Sequence, residues 1–152
     1  MRWASAPGAI IPSMDPRSRL ASIARHFALD ALYVFGSRQR EARALVSDGT
    51  PFTTGGSDVD VGVLPAVDCR LDARQRVDLV AALEGLFAGT IVDLVVLPEA
   101  PAFLAADVVS GELLFVGDRR READFQLHVL RRAADLAPFE RERRAIILAG
   151  GR

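Results

Sequence analysis

The chain has 152 residues, 50% of them apolar and 26% charged, and this length suits one globular domain that buries roughly two-thirds of the surface of the unfolded chain. Its net charge of −1 gives no general attraction for nucleic acid, and no apolar run approaches the ~20 residues that cross a membrane. All 19 basic residues are arginines, which excludes a Walker-type phosphate lysine, a Schiff-base lysine and the kinase lysine.

The single cysteine, Cys69, excludes an intrachain disulfide, and the N-terminal residues lack the apolar core of a signal peptide. We therefore expect a cytoplasmic protein. Residues 1–14 contain Gly, Pro and Ser without periodicity and are predicted to form a flexible tail, with one domain over 15–152.

The hydrophobic periodicity and the turn residues predict elements in the order α-β-β-α-β-α-β-α. The helices are predicted at 16–28, 68–88, 101–110 and 119–137, and the strands at 32–35, 59–64, 91–97 and 112–116. A helical turn or two is expected within 38–46, and Pro138 is expected to interrupt the C-terminal helical segment 119–149. This order indicates an α/β (α+β) fold with a small mixed sheet, flanking helices and a helical C-terminus.

Two aspartates, Asp58 and Asp60, lie one residue apart at the start of an apolar strand, in the stretch GGSDVDVGVL. Alternation places both carboxylates on one face, about 6.5–7 Å apart, and the valines between and after them on the other. Gly62 follows on the carboxylate face, where the missing side chain leaves room for something to approach. Repulsion between two such carboxylates is relieved by a divalent cation, and hard oxygen ligands suit Mg²⁺.

A third acid, Asp93, is the only polar residue in the strand IVDLVVL. A buried carboxylate without a partner costs several kcal/mol, so a partner is expected. If this strand lies beside 59–64, three carboxylates converge on one edge and are enough to hold two metal ions. Simpler interpretations stay open at this point, because an Asp-x-Asp pair is often solvated surface and Asp93 could pair with an arginine of the last helix.

In order along the chain, VFGS at 34–37, GSDVDVGVL at 56–64 and VDLVV at 92–96 resemble the DNA polymerase β-type nucleotidyltransferase superfamily. More narrowly, the chain resembles the minimal nucleotidyltransferases, the MntA-type antitoxins that pair with HEPN-fold, HepT-type toxins. The resemblance extends over about residues 18–145 and implies a nucleotidyltransferase-type fold.

The resemblance also implies a set of roles. Gly36 and Ser37 would hold the β- and γ-phosphates of ATP. We add Ser57 and Arg38 to the nucleotide-binding set, where Arg38 or another arginine of the loop would supply the positive charge that a lysine gives elsewhere. Asp58, Asp60 and Asp93 would bind two Mg²⁺ ions and form the catalytic set, with Asp93 helping to deprotonate the attacking hydroxyl. AMP would pass from ATP to a tyrosine of the toxin and silence it.

The chain departs from the family in the 20 residues, 38–57, that separate Ser37 from Asp58, which is longer than the usual spacing. We expect a looped-out insertion at about 44–54. Two alternatives to toxin modification remain, namely a small-molecule adenylyltransferase resembling the aminoglycoside enzymes and a catalytically silent module that covers a toxin. The short segment after the last strand favours an acceptor on a separate protein.

Overall fold

The computed structural model describes residues 14–150, so the predicted tail lies outside the described residues except for Met14. Within this range the chain forms five α-helices and four strands. In chain order these are α1 (Pro16–His26), β1 (Leu29–Phe35), α2 (Gln39–Asp48), β2 (Val59–Pro65), α3 (Ala73–Leu86), β3 (Val92–Val96), α4 (Ala102–Val109), β4 (Glu112–Val116) and α5 (Arg119–Gly150). Single 3₁₀ turns occupy Gly36–Arg38 and Leu97–Glu99.

The four strands form one mixed sheet in the order β3-β2-β1-β4. β1 pairs antiparallel with both β2 and β4, whereas β2 and β3 are parallel and are joined through α3. The predicted mixed sheet with flanking helices and a helical C-terminus is thus confirmed. Because β1 and β2 run in opposite directions, the end of β1 lies beside the start of β2, and this is the edge where the predicted site residues meet.

Each face of the sheet is covered by helices, as the alternation along β2 requires. Val59, Val61 and Val63 are fully buried on the face that packs against α1 and α3. The opposite face carries Leu64 into a second core, which α4 and the first half of α5 cover. Asp60 belongs to this second face, because it alternates with the buried valines of β2. Asp93 of β3 lies beside it in the parallel register.

Helix starts follow local capping chemistry. α1 begins as predicted, with the Asp15 carboxylate accepting the backbone N–H of Ser18 at 2.6 Å and Pro16 in the first turn. α3 begins at Ala73 rather than at the predicted residue 68, because Asp72 and Gln75 form a reciprocal capping box there. The predicted helix therefore started five residues too early.

The insertion predicted at about 44–54 is only partly a loop in the structure. Residues 44–48 complete α2, and only 49–58 connect α2 to β2. This connection is anchored by Phe52, which is 7% exposed and packs against Phe87 with the ring centroids 5.1 Å apart. The extra residues thus form part of the core as well as part of the surface.

α5 continues through Pro138, so the predicted interruption is wrong. Its first half packs on the sheet through Val129, whereas Leu130 and Leu136 are 41% and 37% exposed. The second half contacts little, because every described residue from 141 to 150 is exposed. No helix between residues 14 and 150 has both the length and the apolar character needed to cross a membrane.

Candidate active site

The first side of the site is the turn that follows β1. Gly36 has a φ of +76°, a left-handed conformation that favours glycine, and a Cβ placed on it would lie 2.5 Å from Oδ2 of Asp60. The next residue, Ser37, is exposed, and its hydroxyl lies 2.9 Å from the hydroxyl of Ser57. The Gly-Ser turn therefore lies directly against the carboxylate strand, with two serine hydroxyls at its rim.

The second side is formed by the acids of β2 and β3. The parallel register pairs Asp60 with Asp93, and Asp60 also lies opposite Phe35, the last residue of β1. Asp58 immediately precedes β2 and is two residues from Asp60, so the two side chains share a face. The predicted adjacency of the two acid-bearing strands is confirmed.

The charges of the other two acids act on Asp60. Its pKa is raised, first because burial disfavours the charged carboxylate, and then because the charges of Asp93 and Asp58 repel it. Within residues 14–150, none of the three carboxylates has a hydrogen bond or an ion pair with another side chain or with the backbone. Asp93 is exposed in β3, so the expectation of a buried carboxylate that needs a partner is wrong. No arginine within residues 14–150 pairs with it, so the alternative of an ion pair with the last helix is not what the structure shows.

These unpaired oxygens suit a hard divalent cation. The described part of the chain nevertheless holds no set of three or more His, Cys, Asp or Glu side chains gathered tightly enough to enclose a metal ion. The three aspartates thus share one edge of the sheet without forming a closed cage. An open arrangement of this kind leaves coordination positions for a substrate, as Mg²⁺ sites that take phosphate ligands do.

Arg38, predicted to contact the nucleotide, has a different set of partners. Its guanidinium is buried, with the residue 7% exposed, and donates to the carbonyl oxygens of Thr53 at 2.6 Å, Gly55 at 2.7 Å and Ser57 at 3.1 Å. Its Nε and Nη2 also donate to the Glu41 carboxylate at 3.0 and 2.8 Å. All five N–H groups are thereby used, so Arg38 has no donor left for a phosphate in this structure.

Two residues around Arg38 were missed by reasoning from sequence. Glu41 lies three residues after Arg38 on a helical turn, a spacing that permits an ion pair, but its contact with the next loop has no local signal. Phe52 lies beneath the guanidinium, whose central carbon is 4.1 Å from the ring centroid. A phenylalanine within a stretch of turn residues was the only hint of an anchored loop.

Gly62 has a structural role rather than an open approach path. A Cβ at this position would collide with the side chain of Val108 in α4. The space that its missing side chain leaves is therefore filled by the helix that covers the second face of the sheet. Gly62 therefore makes room for α4, and the site lies two residues earlier in the strand, at Asp60.

The short mixed sheet carries acids at the start of two parallel strands and is bordered by a Gly-Ser turn from the neighbouring antiparallel strand, which is the arrangement that the resemblance to nucleotidyltransferases implies. The family model described as polymerase beta, nucleotidyltransferase matches residues 19–120, which is more than half of the chain. The chain belongs to this family. No curated protein matches it.

Solved structures add a narrower likeness, to MntA-type proteins of toxin–antitoxin pairs. A toxin–antitoxin complex with AMP-PNP is 28% identical, with a TM-score of 0.60, over 86% of this chain and 94% of the other. An MntA–HpeT mutant with two aspartates changed to glutamate is 25% identical, with a TM-score of 0.61, over the same shares. A complex of a tri-AMPylated HEPN toxin of Shewanella oneidensis with its MNT antitoxin is 25% identical, with a TM-score of 0.58. The match covers 87% of this chain and 92% of the other.

Proposed function

We propose that this nucleotidyltransferase transfers AMP from ATP to a tyrosine hydroxyl of a HEPN-fold, HepT-type toxin and thereby neutralises it. The observation that carries the proposal is the meeting of three unpaired aspartates, Asp58, Asp60 and Asp93, beside the Gly36–Ser37 turn. The similar complexes support it, since one contains AMP-PNP and another a tri-AMPylated HEPN toxin with its antitoxin. The single exposed cysteine, Cys69, suits the reducing cytoplasm in which such a pair would act.

The chain's own residues divide the work as follows. The Gly36 backbone and the Ser37 and Ser57 hydroxyls bind and orient the phosphate chain of ATP. The three aspartates would hold Mg²⁺, which would neutralise the phosphate charge and stabilise the attacking and leaving oxygens. Asp93 accepts the proton of the attacking hydroxyl. The new bond joins that oxygen to the α-phosphorus, the bond from the α-phosphorus to the bridging oxygen breaks, and pyrophosphate leaves.

The test is incubation of the purified chain with α-labelled ATP, Mg²⁺ and a HEPN-fold partner toxin, followed by intact mass measurement of the toxin. We expect label and the added mass of AMP on the toxin. The double change Asp58→Asn with Asp60→Asn should slow transfer by roughly a thousandfold or more, because metal-bound charge stabilisation is worth several kcal/mol.

A matched control changes two other exposed aspartates, Asp78→Asn in α3 and Asp135→Asn in α5, and should leave the rate unchanged. Equal labelling by the Asp58/Asp60 variant would overturn the catalytic assignment. Label on an aminoglycoside but not on the toxin would indicate a small-molecule adenylyltransferase instead. Neutralisation of the toxin without any label would indicate a silent covering module.

A further inference from the structure

The loop from α2 to β2 is fastened to the body of the protein by three residues, Arg38, Glu41 and Phe52, which we call the clamp. Arg38 binds three of the loop's carbonyl oxygens, as described above. Glu41 accepts the backbone N–H of Thr53 at 2.6 Å. Phe52 packs in the core beneath Arg38. The loop is therefore held both through its backbone, by Arg38 and Glu41, and through the side chain of Phe52.

The charge state of Glu41 fits this role. Burial raises the pKa of its carboxyl, but the hydrogen bonds from Thr53 and Arg38 outweigh that effect and lower the pKa overall. Glu41 is therefore ionised at neutral pH, and its charge balances the buried guanidinium. The pair forms one neutral unit that binds backbone groups.

The clamp ends at the proposed nucleotide site. Arg38 binds the carbonyl of Ser57, the hydroxyl of Ser57 lies 2.9 Å from that of Ser37, and Asp58 follows directly in the chain. We propose that Arg38 is a positioning residue of the nucleotide site, which affects ATP only by fixing Ser57 and the start of β2. This inference rests on the proposed function and changes the predicted part of Arg38 from phosphate ligand to support of the phosphate-binding hydroxyls.

The two roles predict opposite effects when Glu41 is changed to glutamine. If Arg38 were a phosphate ligand held back by Glu41, neutralising Glu41 would release the guanidinium and tighten ATP binding. As a positioning residue, Arg38 needs the charge and both oxygens of Glu41. Glutamine keeps only one accepting oxygen for Arg38 and Thr53 together, so Glu41→Gln should weaken ATP binding by roughly tenfold, as expected for about one lost charged hydrogen bond.

Arg38→Lys provides the second variant. Lysine keeps the positive charge but lacks the planar fork of five donors that reaches Glu41 and three carbonyls together. Simple charge attraction predicts that ATP affinity is largely kept, whereas positioning predicts a loss of roughly tenfold or more, similar to that of Glu41→Gln. Matched controls are Arg43→Gln and Glu112→Gln, which break an ion pair of 3.4 Å outside the clamp.

The experiment measures ATP binding by calorimetry with Mg²⁺ present, and hydrogen exchange of residues 53–57 without nucleotide. We expect weaker ATP binding and faster exchange in both clamp variants, and dissociation constants within twofold of wild type in both controls. If Arg38→Lys does not fold, Glu41→Gln decides alone. Tighter binding by Glu41→Gln, or unchanged binding by the variants despite lower stability, would overturn the inference.

Binding needs no acceptor, so the two proposals can fail separately. A wild-type chain that binds ATP but labels no toxin would contradict the proposed function and leave the clamp result valid. A chain that labels the toxin while the clamp variants bind ATP normally would contradict the clamp alone. A wild-type chain that binds no ATP would contradict both.

Discussion

Asp60 is the residue at which folding and the proposed chemistry have opposite requirements. Its pKa is raised by burial and by the neighbouring charges of Asp93 and Asp58. The pKa of Asp60 is higher in the folded chain than in the unfolded chain. Between these two pKa values the folded chain therefore binds more protons than the unfolded chain. The contribution of Asp60 to the free energy of unfolding is therefore lost as the pH rises through the raised pKa, and the ionised group destabilises the fold at neutral pH.

We expect Asp60→Asn to raise the free energy of unfolding at pH 7, in the absence of metal, while it abolishes AMP transfer. The gain is at most about 1 kcal/mol, or about 2 °C in Tm, because solvent screens a partly exposed carboxyl. The gain should disappear as the pH falls to about 3, where Asp60 is protonated in the wild type. Urea denaturation across this pH range measures the difference.

Mg²⁺ supplies the control for this prediction. Added Mg²⁺ should stabilise the wild type through binding to the folded state and should stabilise Asp60→Asn less. Asp78→Asn, an exposed change in α3, should follow the wild type at every pH and every Mg²⁺ concentration. A variant at position 60 that is less stable than the wild type at neutral pH would show that repulsion among the three acids is not significant.

At the scale of elements, the placement of α4 depends on one missing side chain. Val108 is fully buried and occupies the position that a Cβ of Gly62 would need. Since β2 is tied into the middle of the sheet, the helix rather than the strand would have to move to admit a larger residue. The packing of α4 thus sets which residue the centre of β2 can carry.

We expect Gly62→Ala to lower the free energy of unfolding by about 1–3 kcal/mol, the usual cost of overpacking a core. The added change Val108→Ala should recover part of that loss, because it removes the colliding methyl groups, and the double-mutant cycle should show coupling. Gly85→Ala in α3 is the matched control, because its Cβ would meet nothing within 4 Å. Chemical denaturation measures the wild type, the two single variants, the double variant and the control, and strictly additive effects in the cycle would contradict the packing argument.

At the scale of the whole molecule, the sheet and the acid pair at its edge could be predicted because their signals are local. The valines that alternate with Asp58 and Asp60 follow the two-residue period of a strand, and Asp93 is the only polar residue of a short apolar run. Whether the strand of Asp93 lies beside that of Asp60 stayed a condition at the level of sequence, and the parallel pairing of β2 and β3 meets it. Sequence alone could therefore bring Asp58 and Asp60 to one face, whereas the position of Asp93 needed the structure.

The remaining features depend on contacts between segments that are distant in sequence. The partners of Arg38 lie up to 19 residues away, and whether a guanidinium meets carbonyls or phosphate cannot be decided from its neighbours in the chain. The side chain that fills the space at Gly62 comes from a helix 46 residues later. The continuity of α5 through Pro138 likewise contradicts a local rule for helix ends.

A buried polar contact joins α5 to the sheet, and it carries the last prediction. Tyr33 of β1, 2% exposed, donates its hydroxyl to the carboxylate of Glu122 in α5, which is 8% exposed. Tyr33→Phe would leave that buried carboxylate without its donor and should cost about 1–3 kcal/mol. Replacing Glu122 by methionine in the same chain should restore part of the loss, because both polar partners are then gone.

Alkaline titration tests the same contact independently. Burial, then the hydrogen bond and charge of Glu122, raise the pKa of Tyr33 above its ordinary value. The unfolded chain therefore loses this proton first, and the stability contributed by Tyr33 is lost as the pH rises above about 10. Since Tyr33 is the only tyrosine, its tyrosinate absorbance should appear together with loss of helical circular dichroism, and Tyr33→Phe should lack this component of the alkaline instability. Tyrosinate formation in a chain that is still folded near pH 10 would contradict the buried contact between the sheet and α5.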